Sequence, residues 1–147
     1  MSYASHEDMI LRFGETKLAQ LTCRDGGRNG APDEPDQSRI EAALSDASET
    51  IEGYAAGRYR VPLSPVPAPV RRWCADMAMY YLYAATGKVP EDVRKAFEDA
   101  LAGLKDMAKG VIMFQCEGVV TEEVSASGDI MMDVPSRIFT ADSLKGF

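Results

Sequence analysis

Residues 70–87, "VRRWCADMAMYYLYAATG", constrain the fold more than any other stretch of the chain. Beyond Arg72 the only charge in this run is Asp76, and apolar side chains fall on nearly the whole circumference of a helix drawn through it. A helix apolar all round cannot lie on a surface, so it sits in the middle of a bundle or at a subunit interface. Trp73 and Met77 are therefore expected to be largely buried. Asp76 is the exception that needs an account. A buried carboxylate without a partner is costly, so it should find a basic group or backbone donors. Arg58, Arg60 and Arg72 are the candidates that the sequence places nearest.

The stretch just before this helix is as unusual as the helix itself. In "GYAAGRYRVPLSPVP", residues 53–67, one helical pattern ends among prolines before the next begins. Pro62, Pro65, Pro67 and Pro69 fix φ and disfavour helix in the residue preceding each of them. Pro67 and Pro69 suit the first turn of the following helix, where a missing N–H costs little. The result is a rigid elbow with Arg58, Tyr59 and Arg60 against it.

Other helices follow from spacing. Ser5 with Asp8 forms a capping-box variant, Met9, Ile10 and Phe13 give a short apolar stripe, and Gly14 ends the first helix. "ETKLAQL" makes a second short helix through Leu18 and Leu21. From Asp36 to Arg58, Ile40, Leu44, Ala47, Ile51 and Tyr54 recur at intervals of four and three along one face. Those 23 residues would span about 34 Å. Gly53 and Gly57 near the end of this run suggest fraying or close packing. Gly87 closes the apolar helix, and Pro90 at its first position, with Glu91 and Asp92, opens the last one. Val93, Phe97, Leu101, Leu104 and Met107 (or Ala108) supply its apolar face, and Gly110 ends it. After that, β-branched residues, Gly118, Gly128 and Pro135 interrupt any helical period. "VIMFQ" and "GVVTEEV" could pair as short strands, and the remainder reads as an extended tail. The fold class is all-α, about five helices in one bundle-like domain over residues 1–110, with a strand-like or extended C-terminal extension over 111–147.

The totals are compatible with this. A chain of 147 residues suits one domain with a sizeable core. The longest apolar runs fall well short of a membrane span, and the N-terminus lacks the basic and apolar regions of a secretory signal, so a cytosolic protein that does not meet a membrane is the expectation. A net charge of −7 argues against a basic nucleic-acid-binding surface. Cys23, Cys74 and Cys116 are odd in number and form no CxxC pair, and Cys74 lies in the apolar helix as a small core residue.

Little points to catalysis. His6 is the single histidine, on the first turn of the first helix, where a solvated role is the ordinary one. The sequence carries neither a nucleophile elbow nor a phosphate loop, and no zinc constellation. The chain is therefore expected not to be an enzyme, and no cofactor is implied. The loop "DGGRNGAPDEPD" lines up in part with a calcium loop through Asp25, Asn29, Asp33 and Asp36. Gly27 stands where an oxygen is needed, however, and Asp36 also fits as the N-cap of the long helix. A small acidic binding module that regulates a protein partner, with this loop as its option for a calcium response, is the second functional reading. Trp73, Tyr80, Tyr81 and Tyr83 cover more than one helical face, more aromatic surface than a five-helix domain readily hides, which marks a partner surface.

Taken together, these segments resemble the small head–tail connector (adaptor) proteins of Mu-like phages and prophages. The similarity starts in "MSYASHEDMILRFGETKLAQLTCRDG" and is most specific in "I-x-G-Y-x-x-G-R-Y-x-x-P-L-x-x-V-P". It continues through the "P-E-x-V-R-x-x-F-E-D-A-L" helix. The resemblance implies a helical virion protein, present in the host cytoplasm during assembly, that forms a ring under the portal. Such a ring extends the DNA channel and joins the portal to a tail or head-completion protein, with DNA passing through unbound. An acidic channel would repel phosphates. It implies interfaces rather than catalytic residues. On the chain's own evidence these are the elbow (Arg58, Tyr59, Arg60), the aromatics Trp73, Tyr80 and Tyr81, and the tail residues Ile138, Phe139, Leu144 and Phe147. An irregular apolar tail of that kind should dock on a neighbour rather than stay in solvent.

Overall fold

A computed structural model describes residues 2–23 and 34–117. Five helices follow in order: α1 (His6–Phe13), α2 (Glu15–Thr22), α3 (Gln37–Ala55), α4 (Ala68–Thr86) and α5 (Glu91–Lys109). No strand occurs among the described residues. The α4 helix is central. It packs against α3 on one side and α5 on another, α3 also touches α5, and the short α1–α2 pair closes a further side. This is the surrounded position that its apolar circumference demands, and Cys74, Met77 and Ala78 are fully buried there.

Local chemistry sets the helix ends. The Ser5 hydroxyl accepts from the Asp8 N–H at 3.1 Å while the Ser5 N–H donates to the Asp8 carboxylate at 2.9 Å, a reciprocal capping box. Gly14 (φ 86°) lets the chain leave α1 and enter α2 at once. The Asp36 carboxylate accepts from the Arg39 N–H and caps α3. Pro67 and Pro90 each stand just outside the first helical residue of α4 and α5, so Pro90 caps α5 rather than occupying its first position. Gly87 and Gly110 take the left-handed conformation that ends α4 and α5.

Some expectations are corrected. The α3 helix stops at Ala55, and residues 56–58 form a turn instead of its last coil. Gly53 and Gly57 are exposed, and a methyl group added at either would touch nothing within 4 Å, so close packing is not their role. "VIMFQ" forms no strand. Its Phe114 N–H goes to the Tyr59 hydroxyl at 3.2 Å and the Glu117 N–H to the Ser64 carbonyl at 2.7 Å, single ties to the elbow that leave no ladder to build. "GVVTEEV" and the tail beyond it lie outside the described residues. Met77 is fully buried, while Trp73 packs against the edge of the core at Gly103 of α5 and keeps a minor part of its surface exposed.

The α1–α2 pair is fastened by a few long-range links as well as by buried Met9 and Leu18. The Tyr3 N–H donates to the Ser48 hydroxyl at 3.0 Å. Thr22 accepts from the Asp36 N–H at 2.9 Å, and its carbonyl accepts from the Arg39 guanidinium at 3.1 Å.

Candidate functional site

Two features stand out once the helices are in place, the elbow and a cleft beside it. The elbow, residues 56–67, is held from both ends of the described chain. From the N-terminal side, the Tyr3 hydroxyl accepts the Leu63 N–H at 3.1 Å and donates to the Glu52 carboxylate at 3.1 Å. Burial pushes the Tyr3 hydroxyl up to about 12, with the Leu63 N–H working against this and Glu52 adding to it. From the C-terminal side, residues 114–117 bind back through Tyr59 and Ser64, and the Cys116 thiol points at the Pro65 carbonyl at 3.7 Å. Arg58 lays its guanidinium against Gly110 at the carboxyl end of α5, where a cation is favoured.

The elbow residues expected at an interface therefore divide. Arg60 is exposed and Arg58 is half-buried against α5. Tyr59 is only 2% exposed, and its hydroxyl is occupied by Phe114. That corrects its placement from a free surface to the chain's own core: the turn after Ala55 swings its ring inward beneath the elbow.

The aromatics divide as well. Tyr80 stacks on Phe97 of α5 with ring centroids 4.1 Å apart, and Tyr81 meets the same ring edge-on at 6.0 Å. The Tyr81 hydroxyl lies 3.2 Å from that of Thr50 on α3. Both are half-buried, so much of the apparent aromatic surplus is absorbed where α3, α4 and α5 meet. Trp73 lies directly on α5 at Gly103, where a methyl group would collide with the indole ring. Phe114 packs against it edge-on at 6.0 Å. Its other side faces the cleft.

The cleft, about 560 Å³, opens between α1, α4 and α5, with Arg12, Arg72, Trp73, Asp76 and Asp99 among its lining residues. Asp76 is its buried floor. The partner of Asp76 is Arg12, whose Nη2 lies 2.7 and 2.9 Å from the two carboxylate oxygens, with Arg72 more distant at 3.9 Å. Of the three arginines expected from sequence, Arg72 is confirmed and Arg58 and Arg60 are not. Arg12 was missed because it arrives from α1, 64 residues away, and its only sequence signal is a basic residue in the last turn of a short helix. Burial still holds the Asp76 carboxyl above the usual carboxylate range, with Arg12 and then Arg72 pulling it back.

The remaining expected sites are quickly placed. Asp36 is committed to capping α3, while Asp25, Asn29 and Asp33 lie outside the described residues. Ile138, Phe139, Leu144 and Phe147 lie outside them too. Among the described residues no group of three or more metal-ligating side chains converges. The His6 Nε2 is enclosed and meets no hydrogen-bond partner among the described residues, so the solvated role expected of it is corrected at that atom. Cys74 is buried beside the Ser48 hydroxyl at 3.5 Å, and burial raises its thiol above the ordinary range. No helix of the described residues is long and apolar enough to cross a membrane.

Comparison with known proteins adds to this geometry. Residues 3–133 match the family model described as Bacteriophage Mu, Gp36. The Mu-like prophage FluMu protein gp36 of Haemophilus influenzae is 30% identical over 145 residues, covering 99% of this chain and 97% of that protein. Gene product J of Escherichia phage Mu is 33% identical over 110 residues, covering 75% of this chain and 74% of that protein.

Proposed function

The chain belongs to the Bacteriophage Mu Gp36 family, and from that premise we propose that it is a structural virion protein, a head–tail connector. On this reading it assembles as a ring under the portal, extends the DNA channel toward the tail, and docks a tail or head-completion protein. It needs no catalytic residue and no cofactor, and DNA passes without specific binding.

The observation that carries the reading is the clamped elbow. Tyr3 and residues 114–117 reach it from opposite ends of the described chain, bind its Leu63, Tyr59 and Ser64, and fix how α3 runs into α4. Ring subunits must all present the same angle, since a small rotational error converts a closed ring into an open helix. A bend held by tertiary bonds supplies that constancy better than a bend held by loop residues alone. The net charge of −7 supports a channel lining that repels phosphate.

No described residue favours the second reading, a calcium-responsive module. The one candidate ligand among them, Asp36, is engaged as a helix cap. The deciding experiment is mass measurement of the full chain in solution, concentrated and dilute, with and without the neighbouring portal protein. A closed oligomer of fixed size, formed alone or on the portal, is the expected result. A chain that stays monomeric in both settings removes the connector reading.

A further inference from the structure

The cleft does not end at Asp76. A second hollow of about 180 Å³, lined by Phe13, Lys17, Met79, Asp92 and Val93, shares Asp76 and Ala96 with it, so the two form one groove. The groove follows α4 from Pro69 to Met79, about 15 Å at 1.5 Å per residue. Its walls carry opposite charge. Arg12 and Lys17 stand on the α1–α2 side, Asp92 and Asp99 on the α5 side, and Arg72 and Asp76 lie between them on α4. The sum is zero, so a purely acidic or purely basic visitor gains nothing. What fits is a segment with both signs of charge beside apolar side chains. Trp73, Met79, Val93 and Ala96 supply the apolar strip, and Lys17, Asp92 and Asp99 make no ion pair among the described residues.

The described chain ends at the mouth of this groove. Phe114 lies on Trp73, and the Glu117 N–H is tied to the carbonyl of Ser64, four residues before the lining begins at Ala68. Residues 118–147 follow. From 118 to 136 every charged side chain is acidic: Glu122, Glu123, Asp129 and Asp133. The only basic residues beyond Glu117 are Arg137 and Lys145, and between them stand Ile138, Phe139, Asp142 and Leu144. That is the mixed pattern the walls call for, and it occurs once in this stretch. The intervening residues 118–136 can span up to about 60 Å, several times the length of the groove. A tether fixed at the mouth holds the segment near its own groove at a roughly millimolar effective concentration, which a separate copy in dilute solution does not reach.

We propose that residues 137–145 fill this groove in their own chain. Ile138 and Phe139 lie on the strip beside Trp73, Arg137 and Lys145 turn toward Asp92 and Asp99, and Asp142 turns toward Arg12 and Lys17. A groove filled in this way is closed to a partner until the segment leaves it. The docking involves one chain only and holds whether or not a ring forms.

The test compares the full chain, diluted until it sediments as a monomer, with the double variant Ile138→Asp/Phe139→Asp. Both positions lie outside the five helices, so circular dichroism should keep its helical signal. Trp73 is the chain's single tryptophan and faces the groove. In the variant its emission should move to the red and acrylamide should quench it more strongly, equally so at every dilution. A second measurement needs no substitution. In an equal mixture of light and isotope-heavy wild-type chains, a zero-length carbodiimide should join Lys145 to Asp92 or Asp99, with both linked peptides light or both heavy. Equal quenching of Trp73 in wild type and variant overturns this docking. So do Lys145 links that join light chains to heavy ones, which would hand the segment to a neighbouring copy, and so does a wild type in which Lys145 meets neither aspartate.

Discussion

The two connections that flank α4 teach opposite lessons, although both are marked in the sequence by glycine and proline. The turn after α4, residues 87–90, is local. Gly87 adopts φ 80°, its N–H bonds to the Ala84 carbonyl, the Thr86 hydroxyl donates to the Tyr83 carbonyl at 2.7 Å, and Pro90 starts α5. Everything that shapes it lies within a few residues. The elbow before α4 is different. Its prolines narrow the choices, but the conformation is fastened by Tyr3, by residues 114–117 and by the Arg58 contact with Gly110. A turn can be local where it only reverses the chain. A bend whose angle is fixed to one value is better held from outside.

The sharpest way to break that comparison is Tyr59→Ala. It removes a buried ring and the acceptor for the Phe114 N–H, and should cost about 3–5 kcal/mol, as other large aromatic deletions in cores do. The chain's single tryptophan, Trp73, packs against Phe114 and serves as a local reporter. Its fluorescence should shift to the red as residues 111–117 come away. A variant that melts normally with unshifted emission would show that the C-terminal tie is decorative.

Tyr3→Phe sharpens the same point from the other end. The ring remains, but the Leu63 N–H is left buried without an acceptor, which should cost about 1–3 kcal/mol. The pH dependence has a definite sign. The hydroxyl ionises at about 12 in the folded chain against 10.0 ordinarily. The stability it confers is therefore complete below pH 10 and is lost as pH rises through about 12. The gap in melting temperature between wild type and Tyr3→Phe should narrow over that window. A constant gap would mean that the hydroxyl does not hold the elbow.

The smallest effect is expected at the local turn. Gly87→Ala places a Cβ in the left-handed region and should cost about 1 kcal/mol, with Trp73 emission unchanged because nothing at the elbow is touched. Emission that shifts with this substitution would erase the distinction between the two connections.

Sequence and tertiary structure divide the protein along the same line. The helices, their caps at Ser5 and Asp36, their stops at Gly14, Gly87 and Gly110, and the central position of α4 were all legible in the sequence. Each depends on hydrophobic period, side-chain oxygens one turn away, or glycine's access to positive φ, and such forces act over a few residues. Arg12 as the partner of Asp76, Tyr3 as the elbow's anchor and the inward turn of Tyr59 were not legible. Pairing across 64 residues in the first case and 60 in the second depends on where whole helices come to rest. The carboxylate of Asp76 required some cation, and its burial made that requirement visible. Which of the nearby arginines reached it was decided by the packing of α1 against the bundle, because an ion pair of this kind is selected by distance in space and carries no mark in the local sequence.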